Sequence, residues 1–532
     1  MNTTTKAKAD PSAVLRDDNQ SARKDDKVVE AAPQFVQGMG LFSATALVMG
    51  SMIGSGIFLV PADMSRTLGS PALLIAAWLL TAAMTIIGAL SYGELAAMMP
   101  RAGGQYVYLR EGLGPIWGFL YGWTLFLVIQ TGTIAAVGVA FGKFLGVFFP
   151  AVSADHWLWH VGKGHVGLNT ANLVAIGIIT LLTVINSLGV KLGSMVQNVF
   201  TSAKVLALLG VVAVGFIAKN AAALADNFGK GWSQFWYGAG LDQVHVITVG
   251  SLWPGGADSR AIVGALTAVA VVQVGSLFSS DSWNNVTFTA GEIRNPKKNL
   301  PLSLALGTGV VLLLYVLCNF VYLVVLPLGG VEGAGTVVGR GIQYAAQDRV
   351  ATAVMEVAFG AMGAKLMAGA ILISTFGCVN GILLSGARVY YAMSQDGLFF
   401  KSVGKLNERT KAPVNSLWVQ WGWTCLLCLS GSYGDLLDYV IFAVLIFYIL
   451  TIVALFVLRV KKPRWHRPYK AFGFPFLPAL YIVMATWVSV VLLRYKPQYT
   501  WPGLILVLIG VPVYFVWKKQ GLVHPTSSGE TV

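Results

Sequence analysis

Apolar runs of about 20 residues recur along the chain, and this feature limits its fold more than any other. A helix of about that length crosses the hydrocarbon core of a bilayer, where no water satisfies the backbone, so each run is predicted to be helical. Only 11% of the 532 residues are charged, against about 25% in a soluble domain. The alternation typical of a membrane β-barrel is absent. The chain is therefore predicted to be an all-α membrane protein.

About twelve transmembrane helices are predicted from these runs. Their approximate bounds are 40–66, 71–98, 115–149, 169–188, 193–218, 261–290, 301–326, 365–395, 414–431, 433–459, 474–493 and 501–517. The third run is long for a single span, which indicates tilt or an interfacial end.

Lysine and arginine indicate the orientation. With the N-terminus in the cytoplasm, 25 of these 37 residues fall on the cytoplasmic side, 11 on the other side, and Lys204 within a span. This asymmetry predicts a multi-pass protein of the plasma membrane (the inner membrane of a bacterium) with both termini cytoplasmic. The net charge of +14 therefore indicates orientation rather than nucleic-acid binding. The basic cluster at 459–470 leaves a contact with anionic lipid open.

Histidine and cysteine give no sign of a metal centre or a catalytic site. The six histidines lie in predicted loops or tails, so we expect no metal, no cofactor and no enzyme activity. All four cysteines fall in apolar spans, and no disulfide is expected. Cys425 and Cys428 form a CxxC, but on a membrane helix this is typical of close packing rather than of a metal or redox pair.

Two spans are interrupted near their middles. Span 1 carries GSMIGSG at 50–56, and span 6 carries GSLFSSDSWNN at 275–285. Glycine weakens a helix, and Ser, Asp and Asn offer its backbone competing hydrogen bonds. The glycines of span 1, taken alone, are also compatible with tight helix packing. The two interruptions are five spans apart, where an inverted five-helix repeat places equivalent helices, so they point to a transporter site at the membrane midplane.

A broken helix exposes N–H groups where one half begins and C=O groups where the other half ends. The first suit a carboxylate and the second an ammonium, so the pair suits a free amino acid. We therefore predict an amino-acid carrier that works by alternating access. A channel needs pore-lining rings, usually from identical subunits, and a membrane enzyme needs a convergent catalytic set. The sequence favours neither.

Five motifs in order resemble the amino acid–polyamine–organocation (APC) superfamily, and within it the L-type amino-acid transporter group. They are GSMIGSGIF at 50–58, SYGELAAMMPRAGGQY at 91–106, QNVFTSAK at 197–204, GEIRNPKKNLP at 291–301, and STFGCVNG at 374–381 followed by SGAR at 385–388. The resemblance implies a LeuT-type fold, with two inverted five-helix repeats, two further helices, and helices 1 and 6 broken.

The predicted organisation follows from the spans and this resemblance. It comprises a disordered cytoplasmic tail at 1–37, a first repeat at 38–218, an external loop at 219–260, a second repeat at 261–459 with an external insertion at 327–364, a basic loop with helices 11 and 12 at 460–518, and a cytoplasmic tail at 519–532. The aromatic residues of the 219–260 loop indicate the membrane interface or a lid.

The resemblance also implies a substrate site at the two breaks. Its residues are Ser51, Met52, Ile53, Ser55, Gly56, Phe278, Ser279, Asp281, Trp283 and Asn284. The backbone around Met52, Ser55 and Gly56 would bind the substrate carboxylate. Phe278 would close over the substrate, and its carbonyl would help to hold the α-amine.

Lys204 is an ionisable residue in the middle of an apolar span. Such a charge costs about 2.5–3.5 kcal/mol to insert, so it should face the bundle interior and have partners, although snorkelling toward the cytoplasm is the alternative. In the resemblance its ammonium stands where sodium sits in sodium-coupled relatives. That position implies sodium-independent transport.

Asp281 departs from the family pattern, which has a small residue there. The carboxylate could receive the substrate amine, favour a cationic side chain, or titrate during proton coupling. It could equally cap the second half of span 6. The expected function is exchange of neutral amino acids, with proton symport and transport of cationic amino acids or amines as alternatives.

The expected partners are a small amino-acid substrate and the lipid bilayer. Some relatives bond to a heavy chain through a cysteine after span 3, but residues 150–168 contain none. A disulfide-linked heavy chain is therefore not expected.

Overall fold

The computed structural model describes residues 35–161, 166–229, 257–429 and 433–519. Within them, ten helices are long and apolar enough to cross a membrane. Two more, Ala257–Ser279 and Val414–Cys428, occupy predicted spans 6 and 9. The prediction of an all-α membrane protein with about twelve spanning helices is confirmed.

The first five spans contain seven helices and one loop helix connects spans 2 and 3. In chain order these helices are α1 Leu41–Met52, α2 Gly56–Leu68, α3 Pro71–Met98, α4 Gln105–Leu113, α5 Pro115–Thr124, α6 Gln130–Leu145, α7 Thr170–Ser187 and α8 Val190–Ile217. A π-helical segment, Leu125–Ile129, joins α5 to α6 and accounts for part of the length of span 3. Pro71 at the start of α3 follows Ser70, whose hydroxyl caps the helix by accepting from the Leu73 N–H.

The remaining helices follow after the segment at 230–256. They are preceded by the short α9 Ala221–Phe228 and comprise α10 Ala257–Ser279, α11 Asn285–Phe288, α12 Pro296–Val325, α13 Val337–Arg340, α14 Val350–Gln395, α15 Val414–Cys428, α16 Tyr433–Lys461, α17 Phe476–Tyr495 and α18 Pro497–Lys519. Helix α14 begins well before the predicted residue 365. Its first part is separated from the rest by Gly360, whose φ of 59° is not helical, so hydropathy alone places the helix start too late.

A two-stranded antiparallel hairpin was not predicted. Strands β1 Trp157–Val161 and β2 Val166–Asn169 lie in the loop between spans 3 and 4. Its strands are only five and four residues long, and β1 is mostly exposed. Neither strand has a long alternation of apolar and polar residues, so the sequence pattern could not identify the hairpin. Asn169 then caps α7, because its Oδ1 accepts from the Asn172 N–H at 2.8 Å.

Spans 1 and 6 are broken, as predicted. Helix α1 ends at Met52 and α2 begins at Gly56, while α10 ends at Ser279 and α11 begins at Asn285. Helix α12 packs along α1 and α3, and α14 packs along α8 and α6, so both breaks lie in the interior of the bundle. Ser282, inside the second break, has a φ of 66°, a left-handed conformation that is uncommon away from glycine and frequent at functional sites.

Parts of the prediction lie outside the described residues. These parts are residues 1–34 and 520–532 of the two predicted tails, and the loop aromatics Trp232, Trp236, Tyr237 and Trp253.

Candidate functional site

The two broken helices meet at Gly56 and Ser279. A Cβ added to Gly56 would lie 2.2 Å from Oγ and 2.9 Å from Cα of Ser279. No side chain fits there, which explains why the first turn of α2 needs a glycine. The start of α2 therefore lies directly against the end of α10.

Tyr315, on α12, joins the two breaks. Its hydroxyl lies 3.1 Å from the Met52 carbonyl oxygen and 3.0 Å from the Ser279 carbonyl oxygen. The first carbonyl ends α1 and the second ends α10, so one hydroxyl contacts both chain interruptions. This tyrosine lies in an apolar span, and nothing in the sequence distinguished it from a packing residue.

All eleven predicted site residues are buried, but they do not form one continuous lining. Ser51, Met52, Ile53, Ser55 and Gly56 lie at the first break, and Phe278 and Ser279 lie against them at the end of α10. Asp281, Trp283 and Asn284 instead line two narrow cavities between α10–α11 and α16.

Lys204 lies in the interior rather than at the cytoplasmic surface. Its side chain is 1% exposed, and Nζ donates to the carbonyl oxygens of Gly50 and Ile53, each at 2.8 Å, and of Ser374 at 3.0 Å. Three donors of an ammonium thus meet three backbone acceptors from two elements, α1 with its break and α14. The snorkelling alternative does not describe this geometry.

Helix α14 supplies further contacts to the first break. The Ser374 hydroxyl lies 3.1 Å from the Ile53 carbonyl oxygen and 3.2 Å from that of Gly54, and the Cys378 thiol donates to the Ser51 carbonyl oxygen at 3.1 Å. Both side chains belong to the STFGCVNG motif, so that motif was the sequence signal for them. The carbonyls released by the break are therefore largely satisfied by α8 and α14.

Asp281 accepts a hydrogen bond from Tyr448 of α16, whose hydroxyl lies 2.6 Å from Oδ1. Helix α11 begins after Asn284, and no side chain provides the N-terminal cap. The capping role considered for Asp281 is therefore not what the structure shows. Tyr448, like Tyr315, lies in an apolar run and had no distinguishing signal.

Trp283 and Asn284, in the second break, contact residues of α3, α4 and α16. The Trp283 ring packs edge-on against Tyr92 at 4.8 Å between centroids and lies 5.2 Å from the Tyr448 ring. Asn284 donates to the Gln105 side-chain oxygen at 2.7 Å, and Gln105 donates in turn to Thr451 of α16. Gln105 belongs to the second quoted motif, so two motifs meet at this point.

Two ion-pair networks stand apart from the breaks. Glu292 and Arg388 are both 1% exposed and form two hydrogen bonds, at 2.9 and 3.2 Å. Glu94, fully buried at the end of α3, pairs with Arg459 and Arg467 and accepts from the Ala471 N–H at 2.7 Å. Glu94 therefore pairs with nearby bases rather than facing the breaks. Among the described residues, no group of three or more metal-ligating side chains occurs.

Comparison with known proteins supports the same reading. A family model described as amino acid permease matches residues 39–515. The chain is 28% identical over 484 residues to the serine/threonine exchanger SteT of Bacillus subtilis, an alignment that covers 91% of this chain and 97% of the relative.

Two mammalian relatives align over a similar length. The chain is 27% identical over 490 residues to the Asc-type amino acid transporter 1 of Mus musculus, covering 91% of this chain and 82% of the relative. It is 28% identical over 486 residues to the large neutral amino acids transporter small subunit 2 of Homo sapiens, covering 91% and 81%.

Proposed function

Because the chain belongs to the amino acid permease family of the APC superfamily, we propose that it is a sodium-independent amino-acid exchanger that works by alternating access. The family and these relatives are transporters, not enzymes. The observation that carries the proposal is the contact of Lys204 with three backbone carbonyl oxygens at the first break.

Lys204 supports sodium independence through its charge and its ligands. Carbonyl oxygens are the groups that a small hard cation would seek in a broken helix. Here the lysine ammonium already occupies carbonyls of Gly50, Ile53 and Ser374. A sodium ion could bind these carbonyls only by displacing the Lys204 ammonium, because two cations that share the same carbonyl oxygens repel each other.

The substrate would bind beside the contact between the start of α2 and the end of α10. N–H groups in the first turn of α2 have no partner within the helix and favour a carboxylate. Carbonyls at the end of α10 favour the α-ammonium. The Ser51 and Ser280 hydroxyls are buried and have no hydrogen-bond partner among the described residues, so each is available to a bound molecule.

The proposed substrates are small and medium neutral amino acids. One relative is a serine/threonine exchanger, and another is a transporter of large neutral amino acids. The close approach of Gly56 to Ser279 leaves little space at the backbone end of the site. The substrate side chain would therefore extend toward the cavities beside Asp281.

The proposed setting is the plasma membrane, the bacterial inner membrane in a bacterium, with both termini in the cytoplasm and no disulfide-linked heavy chain. The distribution of lysine and arginine supports this orientation. Residues 150–168 hold no cysteine for a covalent partner, and the four cysteines of the chain are free and lie in helices.

Uptake of labelled serine into proteoliposomes tests the proposal. Vesicles are prepared with or without unlabelled serine inside, in sodium or choline buffer. Uptake should require internal amino acid and should be the same in both buffers. Uptake into empty vesicles driven by an inward proton gradient would instead make the protein a symporter. If no member of a panel of labelled amino acids is taken up, the substrate class is wrong.

A further inference from the structure

The segment that leads from the end of α16 to α17, residues 459–475, carries positive charge that is only partly paired; we call it the basic segment. The sequence from 439 to 529 contains no aspartate or glutamate. Arg459 and Arg467 pair with Glu94 of α3. Four other basic side chains are exposed and form no salt bridge among the described residues, namely Lys461, Lys462, Arg464 and Lys470. Their charge is therefore available to an anion from outside the chain.

Arg467 holds the basic segment in one shape. Its guanidinium donates to four backbone carbonyl oxygens at 2.9 to 3.2 Å, those of Leu458, Lys462, Pro463 and Trp465. The guanidinium carbon of Arg459 lies 3.7 Å from the centre of the Phe474 ring, so the end of the segment is fixed as well. The exposed basic side chains thus project from a folded loop, and binding an anion there orders little additional backbone.

Exposed apolar side chains adjoin this charge. Phe472 is 71% exposed, and Phe476, the first residue of α17, is 81% exposed. Leu480 and Val483 are also exposed and follow Phe476 at helical spacing, so the three side chains share one face of α17. Helix α17 is long and apolar enough to cross a membrane, so this face meets lipid tails. Basic and aromatic side chains at the end of such a helix lie at the level of the lipid headgroups.

We infer that the basic segment binds an anionic phospholipid, whose headgroup lies among the exposed basic side chains and whose acyl chain follows the exposed face of α17. A zwitterionic lipid offers the same acyl chains without a net negative charge, so charge complementarity selects the anionic class. A second copy of the chain is a poorer occupant. A two-fold interface on this face would bring one basic segment against another, and like charges repel.

The basic segment also contacts α3 close to the second break. Tyr469 lies against Gly93, where an added Cβ would be 3.0 Å from Cε1 of the tyrosine ring. Glu94, the next residue, pairs with the segment, and Tyr92, the preceding one, packs against Trp283 at 4.8 Å between ring centroids. One turn of α3 therefore touches both the lipid site and the break, so lipid binding should change the exchange rate. This effect on the rate rests on the proposed function, whereas lipid binding itself does not.

Thermal unfolding of the full-length protein in detergent tests the binding. Dioleoyl phosphatidylglycerol is the probe, and dioleoyl phosphatidylcholine is the control with the same acyl chains. Each basic residue near an anionic lipid surface contributes about fivefold to binding. Phosphatidylglycerol should therefore raise the unfolding temperature at concentrations at least about tenfold below phosphatidylcholine. Glycerophosphoglycerol, which is the headgroup without acyl chains, and inorganic phosphate should not raise it.

Substitutions assign the effect to the basic segment. The triple variant Lys461→Gln/Lys462→Gln/Arg464→Gln removes three exposed charges and leaves the pairing with Glu94 in place. In this variant the response to phosphatidylglycerol should fall to that of phosphatidylcholine. If the triple variant is less stable than the unaltered protein without lipid, Lys461→Gln/Arg464→Gln replaces it, because this double variant keeps the Lys462 ammonium over the Trp465 ring.

The loop between α14 and α15 provides the matched control. The variant Lys401→Gln/Lys405→Gln/Arg409→Gln removes two lysines and one arginine from exposed positions. Two spans, α15 and α16, separate this loop from the basic segment, so both lie on the same side of the membrane. The control variant should keep the full response to phosphatidylglycerol, since it changes the net charge by the same amount without touching the proposed site.

Serine exchange tests the effect on the rate, in vesicles of phosphatidylcholine with or without phosphatidylglycerol. The anionic lipid should accelerate exchange about twofold or more in the unaltered protein and in the control variant. It should have no effect in the triple variant. An unchanged rate in the unaltered protein would overturn the coupling to the break and leave the lipid site in place.

Other results would overturn the lipid site itself. These results are equal stabilisation by the two lipids, or a preference for phosphatidylglycerol that survives the triple variant. Stabilisation by glycerophosphoglycerol or phosphate would make a soluble anion the ligand. A dimer that light scattering detects in the unaltered protein and not in the triple variant would assign the surface to a second copy. If no amino acid is transported, the proposed function fails, but the unfolding measurements still decide whether the lipid binds.

Discussion

At the scale of single residues, the central problem is the set of carbonyls released where span 1 is broken. A buried carbonyl without a hydrogen-bond donor costs free energy. In this protein, side chains on other helices donate to these carbonyls. Lys204 donates to the carbonyls of Gly50 and Ile53, and the Ser374 hydroxyl lies within hydrogen-bond distance of those of Ile53 and Gly54. Tyr315 contacts a fourth carbonyl, that of Met52 at the end of α1. Side chains from three other helices therefore add to the few backbone hydrogen bonds at the break.

Replacing Lys204 by methionine should reduce exchange at least about tenfold. The change keeps an unbranched side chain that is one atom shorter, and it removes three charge-assisted hydrogen bonds, each worth about 1.5–3 kcal/mol. Initial rates of serine exchange, corrected for the amount of folded protein, measure the effect. Lys191→Met, at an exposed position on the same helix, is the matched control. Full activity of Lys204→Met would show that the ammonium has no part in holding the break.

Replacing Tyr315 by phenylalanine should raise the KM for serine about threefold to tenfold, because a neutral hydrogen bond is worth about 1 kcal/mol. The change removes the hydroxyl that contacts the carbonyl oxygens of Met52 and Ser279. Concentration-dependent exchange gives KM and the maximal rate separately. Tyr390→Phe is the control, since that buried hydroxyl has no hydrogen-bond partner among the described residues. Equal KM values in the two variants would contradict a role for the Tyr315 hydroxyl.

At the scale of elements, the segment after span 6 is joined to α14 by a buried ion pair. Glu292 lies in a short 3₁₀ helix that follows α11, and Arg388 lies on α14. The Glu292 carbonyl also accepts from the Met39 N–H at 3.0 Å, so the chain just before α1 joins the same contact. Glu292 thus connects the chain before α1, the segment after span 6 and α14.

Replacing Glu292 by glutamine should destabilise the folded protein by about 3–5 kcal/mol, because it leaves Arg388 buried without its counter-charge. Thermal and denaturant unfolding in detergent measure the change. Asp348→Asn breaks the partly exposed pair with Arg66 and should cost no more than about 1 kcal/mol. Replacing Glu292 and Arg388 together by glutamine and methionine should recover part of the loss. A stability equal to that of Asp348→Asn would rule out this account of the pair.

At the scale of the whole molecule, charge determines how the bundle lies in the bilayer. The basic residues at 459–470 lie in the last turn of α16 and in the loop after it, and two of them, Arg459 and Arg467, pair with Glu94. Lys461, Lys462 and Arg464 remain exposed. The paired arginines attach this segment to α3, and the exposed basic residues present positive charge to the aqueous side.

Single cysteines introduced on a cysteine-free background should report this orientation. A cysteine at Arg464 should react with an impermeant maleimide only after the cells are opened, because the loop is expected to be cytoplasmic. A cysteine at Glu332, in the exposed segment between α12 and α13, should react in intact cells. Reversed labelling of the two positions would mean that the positive-inside pattern does not apply to this chain.

The sequence by itself determined the class of fold, the positions of most spans and the two broken helices. These features are local, because a run of apolar residues or a cluster of glycine and serine has its effect wherever it stands in the chain. Helix α3 has the predicted bounds, and the breaks at 53–55 and 280–284 lie inside the segments read as interruptions. The hairpin and the early start of α14 escaped prediction because neither has a strong periodic signal.

Only the tertiary structure decided which side chains meet at the breaks. Tyr448 reaches Asp281 from α16, Tyr315 reaches Met52 from α12, and both tyrosines stand in runs that read as ordinary apolar helix. Such pairs are separated by more than a hundred residues along the chain, and their contact depends on how whole helices rotate and pack. A sequence indicates which groups need partners, whereas packing decides which partners they find. Among the described residues, packing gives Asp281 a tyrosine and no salt bridge.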